Sequence, residues 1–175
     1  LIEIEKYCLM KNQKQSLIRS NQGGFHSKDV DLSEKVLRNL NNNLIIETHK
    51  LCDELQLKKP NRIGNMWVNI NDYGHANSSH IHSNCLFSGA FYPSQSYPED
   101  CGTLKFQHPL YDIMGYDWDN QQINYNKYNS LTFKLPPMSG HAVIFPSWLS
   151  HSVHPNLNKD FSRVSMSFNI PKEGL

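Results

Sequence analysis

Beyond Pro60 the chain breaks into short β-prone runs separated by Gly, Pro, Asn and Ser, a texture that restricts it to an all-β sandwich or barrel. The runs that read as strands are residues 66–71, 86–92, 103–106, 130–134, 141–145 and 163–170, with 80–82 as a possible seventh. Such a set suits a mainly β fold, a double-sheet jelly roll or double-stranded β-helix barrel.

Before Pro60 the period is different. Leu37, Leu40, Leu44, Leu51 and Leu55 recur at helical spacing, and Asp31 with Glu34 forms a capping-box pattern, so 31–57 reads as one long N-terminal helix packed on the outside of a sheet. His49 on that helix has no partner ligand one turn away and reads as a surface or half-buried histidine. The first thirty residues, with Gly23 and Gly24 in their middle, read as an irregular arm over the barrel. At 175 residues and 38% hydrophobic content the chain can bury one core, giving a single domain over 1–175, with arm and helix in 1–60 and the jelly-roll core in 61–175. Residues 109–129 are rich in Tyr, Trp, Asp and Asn, including Tyr111, Tyr116, Trp118, Tyr125 and Tyr128. They read as a long loop, either a lid from Tyr111 to Tyr128 or rings packed on the outer sheet.

The formal net charge is +1, from 17 basic and 16 acidic residues. That balance gives no electrostatic footprint for a nucleic acid or an anionic membrane. Cys8, Cys52, Cys85 and Cys101 contain no C-x-x-C pair, and the chain is too large to need a disulfide frame, so reduced thiols in a cytoplasmic protein are expected. No apolar run approaches the ~18 residues a membrane helix needs, and the N-terminus lacks the order of a signal peptide.

The most informative segment is Ser79-His80-Ile81-His82. In an extended chain residues two apart project from one face, so both imidazoles can converge on a point. A third histidine, His151, follows Ile144-Phe145-Pro146-Ser147-Trp148-Leu149, a strand ending in a turn. Three neutral nitrogen donors on a β scaffold suit iron(II) or another borderline divalent metal, with positions left open for substrate and oxygen. His108, His141 and His154 each border a proline or open a strand and read as structural, as does Trp148 beside the His151 turn.

Arg163 opens a strand whose alternation places Arg163, Ser165, Ser167 and Asn169 on one face and Val164, Met166 and Phe168 on the other. In a barrel with a ligand inside, the polar face lines the cavity. A guanidinium there suits a carboxylate, because its planar fork donates two parallel charge-assisted hydrogen bonds.

These residues resemble the 2-oxoglutarate and iron(II)-dependent oxygenases, in particular small members found in bacteria and phages and related to prolyl hydroxylases. The resemblance covers about residues 65–170. It rests on His80-Ile81-His82, Ser88-Gly89-Ala90-Phe91-Tyr92, Gly102-Thr103-Leu104-Lys105-Phe106, the stretch from Gly140 through Phe145-Pro146-Ser147 to His151, and Arg163-Val164-Ser165. It implies that His80 and His151 are iron ligands, that Arg163 and Ser165 hold the distal carboxylate of 2-oxoglutarate, and that Tyr92 and, more weakly, Asn69 also serve the co-substrate. His82 departs from the usual motif, which has Asp or Glu there. A working three-histidine site, a water-filled position with His82 outside it, and a barrel without chemistry all fit that departure, and the two-residue spacing favours the first.

The implied reaction is hydroxylation of an unactivated C–H bond using Fe(II), 2-oxoglutarate and molecular oxygen, with release of succinate and carbon dioxide. The substrate is a small molecule or a protein side chain. Two rivals stand beside this reading: a cupin-like dioxygenase or isomerase that uses no 2-oxoglutarate, against which Arg163-Val164-Ser165 argues, and a non-catalytic jelly-roll binding module.

Overall fold

The structure is a computed structural model that describes residues 1–12, 15–118, 124, 126 and 128–172. The chain opens with α1 (Ile2–Lys11), followed by an arm with two short strands, β1 (Asn21–Gln22) and β2 (Phe25–His26), and then α2 (Lys35–Glu54). The next strands are β3 (Asn65–Asn71), β4 (Ala76–His80), β5 (Cys85–Phe91) and β6 (Leu104–Gln107). After α3 (Tyr111–Trp118) come β7 (Thr132–Leu135), β8 (Ala142–Pro146), β9 (His151–Val153) and β10 (Arg163–Pro171). The named strands pair antiparallel throughout, in a first sheet ordered β1-β4-β9-β6-β7 and a second ordered β2-β3-β10-β5-β8.

Period-two alternation in the second sheet decides which face is core. Val164, Met166 and Phe168 of β10 lie with Met66, Val68 and Ile70 of β3 in one buried cluster, which α2 covers with Leu37, Leu40, Leu44 and Cys52. On the opposite face Arg163, Ser165 and Ser167 stand in register with Asn71, Asn69 and Trp67. The polar stripe of β10 therefore looks inward, toward the first sheet.

The six strands expected from the sequence lie within two residues of those observed. Several other expectations need correction. One long N-terminal helix is not what leads the chain: the first helix, α1, has 10 residues, and the 20-residue α2 comes second, inside 31–57. α1 carries no leucine stripe. Cys8 is its one buried residue, and Tyr7 ties it to the start of α2 by donating to Glu34 Oε1 at 2.8 Å. That contact also explains why the capping box fails. Asp31 Oδ1 accepts from the backbone and hydroxyl of Ser33 instead, and Glu34 caps α2 without a side-chain hydrogen bond.

The arm is not irregular either, because β1 adds to the edge of β4 and β2 to the edge of β3. Gly23, at φ +77°, turns the chain between them under the His75 ring, where a Cβ would lie 2.2 Å from Cδ2. Residues 109–129, expected as a loop, begin with α3, whose Met114 is buried. Beyond α3, residues 119–123, 125 and 127 lie outside the described residues, and with them Tyr125 and part of the lid expected from Tyr111 to Tyr128. Among the described residues no helix is long and apolar enough to cross a membrane.

Candidate metal centre and co-substrate pocket

His80 ends β4, His151 begins β9, and the two are register partners across the first sheet. The ladder thus sets their rings side by side, with centroids 4.3 Å apart. His82 lies two residues past the end of β4, not in the strand as expected, and just before the turn at residues 83–84. Its backbone N–H donates to Ser147 O at 2.9 Å, which brings its ring to 5.0 Å from His80 and 5.1 Å from His151. One ligand atom from each of the three lies within 4.8 Å of the others.

The tautomers follow from the backbone. Nδ1 of His80 is 2.7 Å from Ser78 O, and Nδ1 of His151 is 2.9 Å from Leu149 O. A carbonyl can only accept, so each Nδ1 carries the proton and each Nε2 keeps a free lone pair. The Nε2 atoms of His82 and His151 are 3.3 Å apart. Two nitrogens each ~2.1 Å from one metal ion and at right angles are ~3.0 Å apart, so the spacing fits a shared ion. Burial, reinforced by the neighbouring imidazoles, lowers both His82 and His151 to about 4. Both are therefore neutral donors at pH 7, as a metal requires.

A cavity of about 50 Å³ between the sheets is lined by Asn69, His80, His82, Tyr92, His151, Arg163 and Ser165, which are all seven residues singled out from the sequence. One water needs ~10–15 Å³ by this measure, so the space suits a small ligand. Arg163 is only 2% exposed, and among the described residues it forms no salt bridge. Its Nη1 donates to Cys101 O at 2.9 Å and to His154 O at 3.2 Å, which pins the guanidinium without neutralising it. A buried cation with no counter-ion is costly, and the carboxylate of a bound acid would supply what is missing. Burial pushes the Tyr92 hydroxyl up to about 12, keeping it a neutral donor beside that charge. Asn69 Nδ2 donates to Ser167 Oγ at 2.9 Å, stiffening the polar wall.

Gly102 is a further part of the pocket. At φ +88° it passes so close to Arg163 that a Cβ would lie 2.4 Å from Nη1 and 2.4 Å from His154 O. The lone sequence signal was a glycine opening Gly102-Thr103-Leu104. Trp67 also lines the cavity, with its ring 5.9 Å from His82 and stacked on His26 at 5.4 Å. Its place two residues before Asn69 on one strand face was the signal that could have found it. Of the other histidines, His49 Nε2 meets Pro60 O at 2.7 Å, His108 Nδ1 accepts from Leu110 N, His141 Nδ1 meets Ser139 O, and His154 Nδ1 meets the Thr103 hydroxyl at 3.2 Å.

A sequence model described as "Putative 2OG-Fe(II) oxygenase" matches residues 65–169, the stretch that holds all seven pocket residues. The chain belongs to that 2OG-Fe(II) oxygenase family. This family uses iron(II), 2-oxoglutarate and dioxygen, and the three-histidine cluster offers the oxygenase a place for the metal. No curated protein matches the chain in sequence.

Solved structures extend the likeness to almost the whole oxygenase chain. A prolyl-4-hydroxylase of Pseudomonas putida superposes with a TM-score of 0.73 at 12% identity, over 98% of this chain and 85% of that one. The viral collagen prolyl hydroxylase of Paramecium bursaria Chlorella virus-1, as a 2-oxoglutarate complex, gives 0.58 at 12%, over 96% and 88%. The epimerase SnoN in complex with Fe3+, alpha-ketoglutarate and nogalamycin RO gives 0.67 at 13%, over 99% and 77%. At these identities the likeness establishes the fold, and the fold hosts more than one reaction.

Proposed function

We propose that the oxygenase is a hydroxylase in which His80, His82 and His151 hold iron(II), while Arg163, with Ser165, Tyr92 and Asn69, holds 2-oxoglutarate. The observation that carries this reading is the buried, uncompensated guanidinium of Arg163 in the same cavity as three converging neutral imidazoles. When bound, the metal with 2-oxoglutarate and dioxygen supplies the conversion of a substrate C–H to C–OH, the keto acid leaving as succinate and carbon dioxide. The protein's part is placement. Arg163 grips the distal carboxylate with its fork, Ser165 offers a hydroxyl donor from the same strand, and Tyr92 another from just past the end of the neighbouring β5. The β4–β9 ladder fixes His80 against His151, and the Ser147 carbonyl, accepting the His82 backbone N–H, anchors His82 beside them. Three imidazoles in place of two and a carboxylate leave the metal centre one unit more positive, which strengthens its hold on an anionic chelator.

Hydroxylation is favoured because two of the similar folds are prolyl hydroxylases. The substrate is a small molecule or a protein side chain. The cluster that joins α1 and α2 to β3 and β10 supports one domain over 1–175. Four free cysteines, three of them buried, support a reducing compartment such as the cytoplasm.

The test is anaerobic addition of iron(II) and then 2-oxoglutarate to metal-free protein, watching for the weak visible charge-transfer band of a chelated keto acid. Arg163→Ala should need about 10- to 100-fold more 2-oxoglutarate, the worth of one or two charge-assisted hydrogen bonds. Metal binding without a band would remove the co-substrate assignment, and no metal binding would remove the enzyme.

A further inference from the structure

A second cavity, a cleft of about 810 Å³, meets the first at Ser20, Trp67, His80 and His82 and reaches neither His151 nor Arg163. One of its walls is the arm, through Leu17, Arg19, Ser20, His26, Lys28 and Asp29. Both sheets anchor that wall. β1 pairs with β4 and β2 with β3, Ser78 N donates to Ser20 O at 2.8 Å, and Gln22 Nε2 donates to Ser78 Oγ at 2.9 Å. The wall therefore sits in register with the strand that carries His80.

Apart from Leu17 and Trp67, every residue that lines the cleft is polar or charged in kind, and Arg19, Lys28 and Asp29 are solvent-exposed. Its charges are Arg19 and Lys28 against Asp29 alone. Asp29 already accepts from Asn65 Nδ2 at 3.2 Å, whereas among the described residues neither cation forms a salt bridge. His26 does not change this balance. Burial lowers its pKa, its Nδ1 faces Ser27 O at 2.8 Å, and the neutral ring lies flat on Trp67.

We propose that this cleft takes the molecule to be oxidised, and that it is a small hydrophilic acid whose carboxylate or phosphate is held by Arg19 and Lys28. The assignment rests on the metal and co-substrate reading above and adds the substrate class. Arg19 matches two oxygens of either group with its planar fork, and Lys28 adds a point charge. Because His80 and His82 belong to both cavities, the rest of such a molecule extends toward the metal.

The chain has three tryptophans, of which Trp118 and Trp148 are exposed. Trp118→Phe with Trp148→Phe leaves Trp67 as the sole reporter. Protein loaded with nickel(II) and saturating 2-oxoglutarate is titrated with glutarate, O-phosphoserine, inorganic phosphate and, as the neutral isostere of glutarate, glutaramide. The expected result is a change in Trp67 emission with the anions, at least about tenfold tighter than with glutaramide and weakened by salt. Glutarate against inorganic phosphate distinguishes the two headgroups. Arg19→Gln with Lys28→Gln should weaken anion binding about tenfold while the iron–2-oxoglutarate band stays as in the parent. Equal binding of glutaramide, no response to any anion, or an unchanged double variant would each overturn the assignment. With the band intact, those results strike the cleft alone; absence of the band from the parent strikes the underlying reading.

Discussion

Arg163 gathers more constraints than any other side chain in the pocket. It is buried, carries a charge, and has one nitrogen held between two carbonyls from separate loops. Charge alone does not reproduce that geometry. Arg163→Lys should keep the cation yet lose the fork, raising the half-saturating 2-oxoglutarate concentration about tenfold while iron(II) affinity holds. Parallel titrations of the band and of metal binding would check it, and equal losses of both would point to collapse of the pocket. Gly102→Ala pushes on the same group from outside, since its Cβ would meet Nη1. The variant should lose ~1–2 kcal/mol from the left-handed backbone alone and also bind 2-oxoglutarate more weakly. Denaturant melting and the band titration measure the two losses separately, and a stability loss with unchanged 2-oxoglutarate affinity would show that Gly102 does not shape the slot.

At the scale of elements, β10 does two jobs with its two faces. Phe168 is fully buried in the cluster that joins the second sheet to α2, so Phe168→Ala should cost ~3–5 kcal/mol, read from chemical denaturation. A loss under ~1 kcal/mol would mean that the core does not close over that strand as described. Both faces of β10 were legible in the sequence because the eight residues from Arg163 to Ile170 alternate polar and apolar without interruption. The same holds for β3, whose Met66, Val68 and Ile70 mark the core and whose Trp67 and Asn69 mark the pocket. Other elements left weaker traces. β1 and β2 have two residues each and β9 three, too short for any period to register. β4 is Ala-Asn-Ser-Ser-His, a polar run that looks like a loop until β1 and β9 flank it. α1 buries one residue and is held by Tyr7 and Glu34 across 27 positions, a tie that no local pattern announces. The histidines were legible as residues and not as geometry, since it is the pairing of β4 with β9 that makes neighbours of His80 and His151.

For the whole molecule, the three-histidine cluster joins the first sheet to the segment after β4, and an ion bound there would stabilise the fold by mass action. Iron(II) or nickel(II) at ~100 times its dissociation constant should add ~2.7 kcal/mol. Scanning fluorimetry with and without chelator reads that increment as a rise in Tm, and His151→Ala should abolish it. An equal rise in the variant would locate the ion elsewhere. The connectivity of the second sheet also sets an order of assembly. Among the described strands β10 is the one that joins β3 to β5, so the β2-β3 and β5-β8 pairs stay apart until β10 enters. β10 is also the last of the ten strands to leave a ribosome. Until then Met66, Val68 and Ile70 have α2 and the arm against them but not Val164, Met166 and Phe168, and the guanidinium that lines the pocket has not been made. A nascent chain can shape its histidines early, but Arg163 and the central strand arrive in the same late step, so a polypeptide cut short before Arg163 should leave the facing edges of β3 and β5 open, an aggregation hazard and not merely a weakened protein.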